Sequence, residues 1–114
     1  MKIVIVGAGA VGTHLSKLLS REHQDCVLID ADEDRLSGLS EYDVMTYCAL
    51  PTSIKALKEA GTPHADLFVG VTPEESTNIN ACILAHALGA KKTVARIDNY
   101  EYLSPSLQPF FKNL

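Results

Sequence analysis

Lys2-Ile3-Val4-Ile5-Val6-Gly7-Ala8-Gly9-Ala10-Val11-Gly12 opens the chain and decides how the rest is read. An apolar strand runs into three glycines, a helical pattern follows, and a second apolar run ends in Asp30, 18 residues past Gly12. Each glycine has a separate job if the ligand is a dinucleotide. Gly7 lets the chain turn sharply off the strand end, Gly9 allows close approach to a pyrophosphate, and Gly12 lets the next helix pack on the strand. N–H groups around Ala8, Ala10 and Val11, with the positive end of the helix dipole, then face the phosphates. Asp30 is placed to accept hydrogen bonds from ribose hydroxyls, with Ala31 beside it.

Glycines at this spacing also recur by chance, and a plain strand-to-helix turn is the competing reading. Here they follow a strand, open a helix and precede an acidic residue at the end of the next strand, which together point to nucleotide binding. Asp30 favours an unphosphorylated adenosine ribose, NAD rather than NADP, because a 2′-phosphate would be repelled by the carboxylate.

Beyond this stretch, apolar runs of strand length alternate with amphipathic helical ones. Strands are expected at 2–6, 26–30, 43–48, 66–71 and 93–97, and helices at 11–22, 32–41, 53–60 and 75–88. The strands are apolar on both faces, as in a sheet covered on both sides. Strict alternation implies right-handed crossovers and an α/β fold: a Rossmann-like, doubly wound parallel sheet in three layers. The 114 residues suit one domain with one real core.

Composition narrows the class. A hydrophobic content of 46% with a mean hydropathy of +0.08 suits a soluble globular domain, and no apolar run approaches the roughly 20 residues that cross a bilayer. The first strand begins at the N-terminus, so no signal peptide is expected. A net charge of −4 and the lack of a basic run argue against nucleic acid as a partner. Cys26, Cys48 and Cys82 have no metal-binding or C-x-x-C spacing and read as reduced core thiols.

Individual side chains carry two readings each. Val11, Leu15, Leu18 and Leu19 form the expected inner face of the first helix, where His14 is a half-exposed helix residue or a contact near the phosphates. Asp32, Glu33 and Asp34 suit a helix N-terminus. Asp32 or Arg35 can border the adenosine pocket, with Arg35 stacking on adenine or reaching a phosphate. Thr52 or Ser53 caps the third helix behind Pro51, and Gly61 closes it. Gly70 within a strand implies that something approaches closely. Thr72, Pro73 and Glu75 read as a capping box, while Thr72 and Asn78 also lie at the strand end where ligands bind. His86 reads as a helix-face residue. Arg96, a charge in an apolar run, needs an ion pair or contacts the phosphates or a partner.

Two divisions of the chain follow: a nucleotide-binding domain over 1–98, and a tail or crossover helix over 99–114. Tyr100, Tyr102, Phe110 and Phe111 are too apolar to leave in water, so this tail is expected to pack on another copy or lead into a further domain. No sixth strand is seen, so the second mononucleotide half of a dehydrogenase domain is missing. No residue stands out as catalytic or as a metal ligand.

With these residues in place, the whole chain resembles the N-terminal nucleotide-binding domains of Trk-type potassium-uptake regulatory proteins. These belong to the RCK class, which regulates the conductance of potassium channels and transporters. The likeness rests on Lys2–Gly12 with Asp30, Leu57-Lys58-Glu59-Ala60-Gly61, Ala65-Asp66-Leu67, Val71-Thr72, Thr77-Asn78 and Ala95-Arg96-Ile97. It implies binding of NAD(H), or of ATP, ADP or AMP as in close relatives. It also implies a homo-oligomer, dimer or larger, paired through its last helices. The partner would be an integral-membrane potassium transport subunit, engaged peripherally on the cytoplasmic, inner face of the plasma membrane. Gly7, Gly9 and Gly12 would line the pyrophosphate, Asp30 would take the ribose, and Thr72 and Arg96 would be further contacts. Relatives often carry Gly-Asp-Ala after the third strand where this chain has Ala49-Leu50-Pro51, which removes a polar side chain from the adenine site. Some ATP-binding relatives place arginine in the glycine loop; Ala10 here tilts the choice towards NAD(H). The resulting expectation is a non-enzymatic regulatory module. The alternatives are the cofactor-binding half of an NAD-dependent oxidoreductase, or a dimerisation domain with a vestigial site.

Overall fold

In a computed structural model, which describes residues 1–98, five strands form one parallel sheet in the order β3-β2-β1-β4-β5. The strands are β1 (Lys2–Val6), β2 (Asp25–Asp30), β3 (Val44–Cys48), β4 (Leu67–Gly70) and β5 (Thr93–Ala95). The helices are α1 (Ala10–Arg21), α2 (Glu33–Ser37), α3 (Ile54–Glu59) and α4 (Glu75–Leu88), with a single 3-10 turn at Thr62–His64. The expected tail, 99–114, with its aromatic residues, lies outside the described residues.

Alternation along β1 builds both faces of the core. Val4 and Val6 point to one side with Val27, Ile29, Phe68, and Leu57, Cys82 and Ala85 from α3 and α4. Ile3 and Ile5 point to the other with Cys26, Leu28, Val69, and Leu36 from α2, while Leu15 and Leu19 of α1 pack against them. Because successive side chains in a strand face opposite ways, a strand that is apolar throughout must be covered twice. The helices divide accordingly, α1 and α2 on one face and α3 and α4 on the other, which is the doubly wound arrangement expected.

Parallel pairing sets Val6 beside Ile29 on one flank and Gly70 on the other. The chain moves outward through β2 and β3, then returns to place β4 on the far side of β1. A crevice therefore opens past the C-terminal ends of β1 and β4, where such sheets hold ligands.

Four expectations change. The first concerns α1, whose buried residues are Gly12 and Ser16, while Val11 and Leu18 are 49% and 43% exposed. The helix lies so close to the sheet that small residues make the contact, and the inner stripe is Gly12, Leu15, Ser16, Leu19. Second, α2 spans five residues rather than the ten of 32–41: Ser37 Oγ donates to Asp34 O at 2.8 Å, and Gly38 follows as the C-cap. Third, β5 stops at Ala95, so Arg96 is not inside a strand. Fourth, β3 is an edge strand, which leaves Cys48 exposed while Cys26 and Cys82 are buried. Burial pushes the Cys82 thiol up to about 11 and raises that of Cys26 as well, so both stay protonated at neutral pH.

Local signals elsewhere hold. Asp32 caps α2 by accepting from Asp34 N, with Glu33 and Asp34 in the first turn, and Ser53 caps α3 by accepting from Ala56 N at 3.2 Å. His86 is exposed on α4. Gly70 admits α4 so closely that a Cβ there would stand 3.1 Å from Asn78 O.

Candidate functional site

The three glycines of the opening turn are required for three different reasons. Gly7 has φ +109°, a left-handed conformation, and a Cβ on it would stand 2.8 Å from Thr72 N and from Val71 C. Gly12 faces the carbonyl oxygen of Gly7, which a Cβ would overlap, so α1 can settle on β1 only at a glycine. Gly9 is extended, and nothing lies within 4 Å of where its Cβ would be. No fold constraint demands glycine there. An empty approach to the backbone at that position is what a pyrophosphate requires.

Helix α1 begins at this turn. Gly9 occupies its N-cap without a side-chain acceptor, and its first turn holds no acidic residue. The first N–H groups of any helix lack intrahelical partners, so this end offers donors and positive potential to an anion. Thr13 steadies the turn, its N–H donating to Gly9 O and its hydroxyl to Ala8 O, both at 3.0 Å.

Asp30 supports the same turn. The residue is 7% exposed; Oδ2 accepts from Ala8 N at 2.7 Å and Oδ1 from Asp32 N at 2.8 Å. Arg35 stands beside it, Nη1 4.0 Å from Asp30 Oδ2 and Nε 3.6 Å from Asp32 Oδ2. A carboxylate has more lone pairs than these two amides use, so ribose hydroxyls can still donate to it. From sequence Asp30 is expected to face the ligand; in the structure it also holds the main chain of the turn.

Above the turn lies a shallow cleft of about 530 Å³. Ala8, Gly9 and Ala10 form its floor; Thr13, His14 and Lys17 rise from α1, with Arg35 and Pro73 opposite. Three basic side chains thus line it and no carboxylate does, on a chain of net charge −4. Lys17 is the residue the sequence reading missed; its Nζ lies 5.2 Å from the centre of the Tyr42 ring. Its signal was present in the spacing, since Ala10, His14 and Lys17 recur at helical intervals on one face.

Thr72 and Asn78 serve the scaffold. Asn78, 1% exposed, accepts at Oδ1 from Thr72 N and from the Thr72 hydroxyl, both at 2.7 Å. Its Nδ2 donates to Thr72 O at 3.0 Å and to Arg96 O at 3.1 Å, tying the β4–α4 loop to the end of β5. The expected capping box is therefore replaced. Glu74 occupies the N-cap of α4 with no side-chain cap, and Glu75 Oε2 accepts from Asp98 N at 2.8 Å instead. An asparagine inside the helix can satisfy both main-chain groups of Thr72 at once, which a threonine cap cannot.

Arg96 follows β5, with Nε 3.7 Å from Asp98 Oδ1 and its side chain 47% exposed. That is the ion-pair reading, and Arg96 does not line the cleft over the glycine turn. Ala31 is exposed next to Asp30, and its carbonyl lies 3.5 Å from Cys48 Sγ. Ala8, Gly9, Ala10 and Arg35 are thus brought together on one cleft, with Asp30 beneath it and Thr72 behind Gly7. Among the described residues, no group of three His, Cys, Asp or Glu side chains is placed to hold a metal ion. Among the same residues, no helix is long and apolar enough to cross a membrane.

Comparison with known proteins agrees with this geometry. The TrkA-N domain family matches residues 3–108. A Trk system potassium uptake protein TrkA from Haemophilus influenzae is 42% identical over 105 residues, covering 90% of this chain and 23% of the relative. A Trk system potassium uptake protein TrkA homolog from Archaeoglobus fulgidus is 38% identical over 103 residues, with the same coverage of 90% and 23%. The chain thus spans about a quarter of the length of these two relatives. A homolog from Methanothermobacter thermautotrophicus is 35% identical, and 48% of its length is covered. Among solved structures, the TrkA-N domain of the inner membrane protein ybaL from Escherichia coli superposes with a TM-score of 0.61. It does so at 15% identity over 96% of this chain and 95% of that one, a likeness of fold. With the family matching nearly the full length and the glycine turn, sheet order and strand-end crevice all in place, the chain belongs to the TrkA-N domain family.

Proposed function

We propose that this chain is the nucleotide-sensing module of a regulatory subunit of a Trk-type potassium uptake system. NAD(H) is the ligand, with ATP, ADP or AMP as competitors for the same cleft. The observation that carries the reading is the uncapped start of α1 at Gly9, with open space over that glycine and Asp30 held at its side. The turn around Gly7, Gly9 and Gly12 would receive the pyrophosphate on main-chain amides, and Asp30 would take the adenosine ribose. Arg35 would border the adenosine side. Thr72 would act by holding the turn, and Arg96 from the far strand end.

Regulation follows from binding. In a homo-oligomer, dimer or larger, the ligand favours one arrangement of paired domains over another only as far as its affinity differs between them. That arrangement would bias an integral-membrane potassium-translocating subunit, with the module seated peripherally on the cytoplasmic face of the plasma membrane. The relatives, Trk system potassium uptake proteins by name, support this partner and a non-enzymatic role.

Calorimetric titration with NADH, NAD, ATP, ADP and AMP tests the ligand. Binding of NADH that is lost in Asp30→Ala supports the site; no binding of any of the five removes it. Co-purification of the full-length protein with the membrane subunit, with and without NADH, tests the partner. Hydride transfer by the full-length protein would favour an oxidoreductase instead.

A further inference from the structure

His14 is the ionisable side chain of the cleft that the proposed binding mode leaves unused. It stands on α1 one turn past Ala10, exposed, and lines the cleft together with Ala8, Gly9 and Ala10. Helical side chains lean towards the helix N-terminus, so a residue at this place reaches back over the open glycine turn. Among the described residues, neither ring nitrogen has a hydrogen-bond or ion-pair partner.

Its charged neighbours are few. On α1, Lys17 follows one turn later, its Nζ over the Tyr42 ring and with no carboxylate partner among the described residues. From α2 comes Arg35, whose charge is already met by Asp30 and Asp32. The β4–α4 loop presents Pro73, with Glu74 next in the chain but outside the lining. No carboxylate of the lining therefore meets a proton taken up by the ring, whereas the two negative charges of a bound pyrophosphate would.

From this arrangement we propose that His14 contacts the pyrophosphate and couples nucleotide affinity to pH. A neutral imidazole offers one N–H; an imidazolium offers two together with a positive charge, and grips an anion more tightly. The liganded module then holds more proton than the empty one, so affinity rises as pH falls through the histidine range. The proposal deepens the nucleotide-binding reading given above and rests on it: the module answers to protons as well as to dinucleotide.

Calorimetric titration of the chain with NADH and with ADP-ribose, at constant ionic strength between about pH 6 and pH 8, tests this. The pyrophosphate diester of both probes is ionised throughout, so a change in affinity reports on the protein. Each probe should bind about threefold or more tightly at the acid end, with net proton uptake in buffers of different ionisation heat. His14→Gln, at an exposed helix position, should remove both the rise and the proton uptake. His14→Lys should bind tightly with a flat profile. Lys17→Gln should weaken binding by a similar factor at every pH, and His86→Gln, on α4 across the sheet, should leave the profile unchanged. A wild-type rise smaller than about threefold, or a rise that survives in His14→Gln, overturns the proposal and leaves the cleft standing as the nucleotide site. If neither probe binds at any pH, the nucleotide reading and the proposal fall together.

Discussion

The main-chain N–H of Ala8 donates to Asp30 Oδ2 at 2.7 Å, joining the glycine turn to the end of β2 across 22 residues. Asp30 is therefore part of the loop it was expected only to face. Asp30→Ala would leave the N–H groups of Ala8 and Asp32 without acceptors, the former buried, and should destabilise the fold by about 1–3 kcal/mol in denaturant titration. NADH affinity should fall in the same variant. Asp30→Asn, which keeps one acceptor, should recover part of the stability. Full stability in Asp30→Ala would show the two hydrogen bonds to be incidental.

The glycines separate fold from ligand. Gly12→Ala drives a Cβ into the Gly7 carbonyl and should cost about 3 kcal/mol or more, since main chain cannot step aside as a side chain does. Gly9→Ala meets open space at an ordinary backbone conformation and should leave stability within about 0.5 kcal/mol. It should nevertheless weaken NADH by about tenfold or more, because the added methyl occupies the pyrophosphate approach. Unchanged NADH affinity in a folded Gly9→Ala protein would move the ligand elsewhere.

Asn78 clamps the β4–α4 loop to the end of β5 through Thr72 and Arg96. Asn78→Ala strands the buried Thr72 N–H and should lose about 2–4 kcal/mol, measured by chemical unfolding. Asn78→Asp keeps the acceptor, loses both donated bonds and buries a charge, so it should not rescue. A loss under about 1 kcal/mol in the alanine variant would mean that water replaces the amide.

At the opposite end of the sheet, Asp66 accepts from Lys2 N at 2.8 Å and pairs with Lys91 Nζ at 3.1 Å. The Lys2 N–H first, then Lys91, hold its carboxyl below the usual carboxylate range. A depressed folded-state value means that the unfolded chain takes up the proton first. The stabilisation is therefore complete above the unfolded value near about 4 and is lost as pH falls below it. Thermal melts of Asp66→Asn should show a lower Tm at neutral pH and a flatter decline between about pH 4 and pH 2. Parallel acid profiles for the two proteins would assign the acid sensitivity to other carboxylates.

Read in order, the sequence by itself determined the alternation of strand and helix, the parallel sheet covered on both faces, and the glycine turn with Asp30 at the next strand's tip. Those features are local or strictly periodic. A strand apolar on both sides needs two covers wherever it lies, and a glycine forced by its own backbone angle or by a neighbouring turn declares itself in sequence. The caps at Asp32 and Ser53 belong to the same class, since each serves an amide two or three residues away. Tertiary structure alone decided the rest, because each remaining feature is a meeting of segments distant in sequence. Val11 and Leu18 turned outward because the sheet comes so close to α1 that Gly12 and Ser16 make the buried contact, with Leu15 and Leu19 packing at its edge. Cys48 was left exposed because its strand fell at the edge of the sheet. Asn78 displaced the threonine cap because Arg96 O and both main-chain groups of Thr72 converge within its reach. Lys17, His14 and Arg35 came to line one cleft only when α1 and α2 packed on the same side of β1 and β2, a proximity that no spacing along the chain encodes.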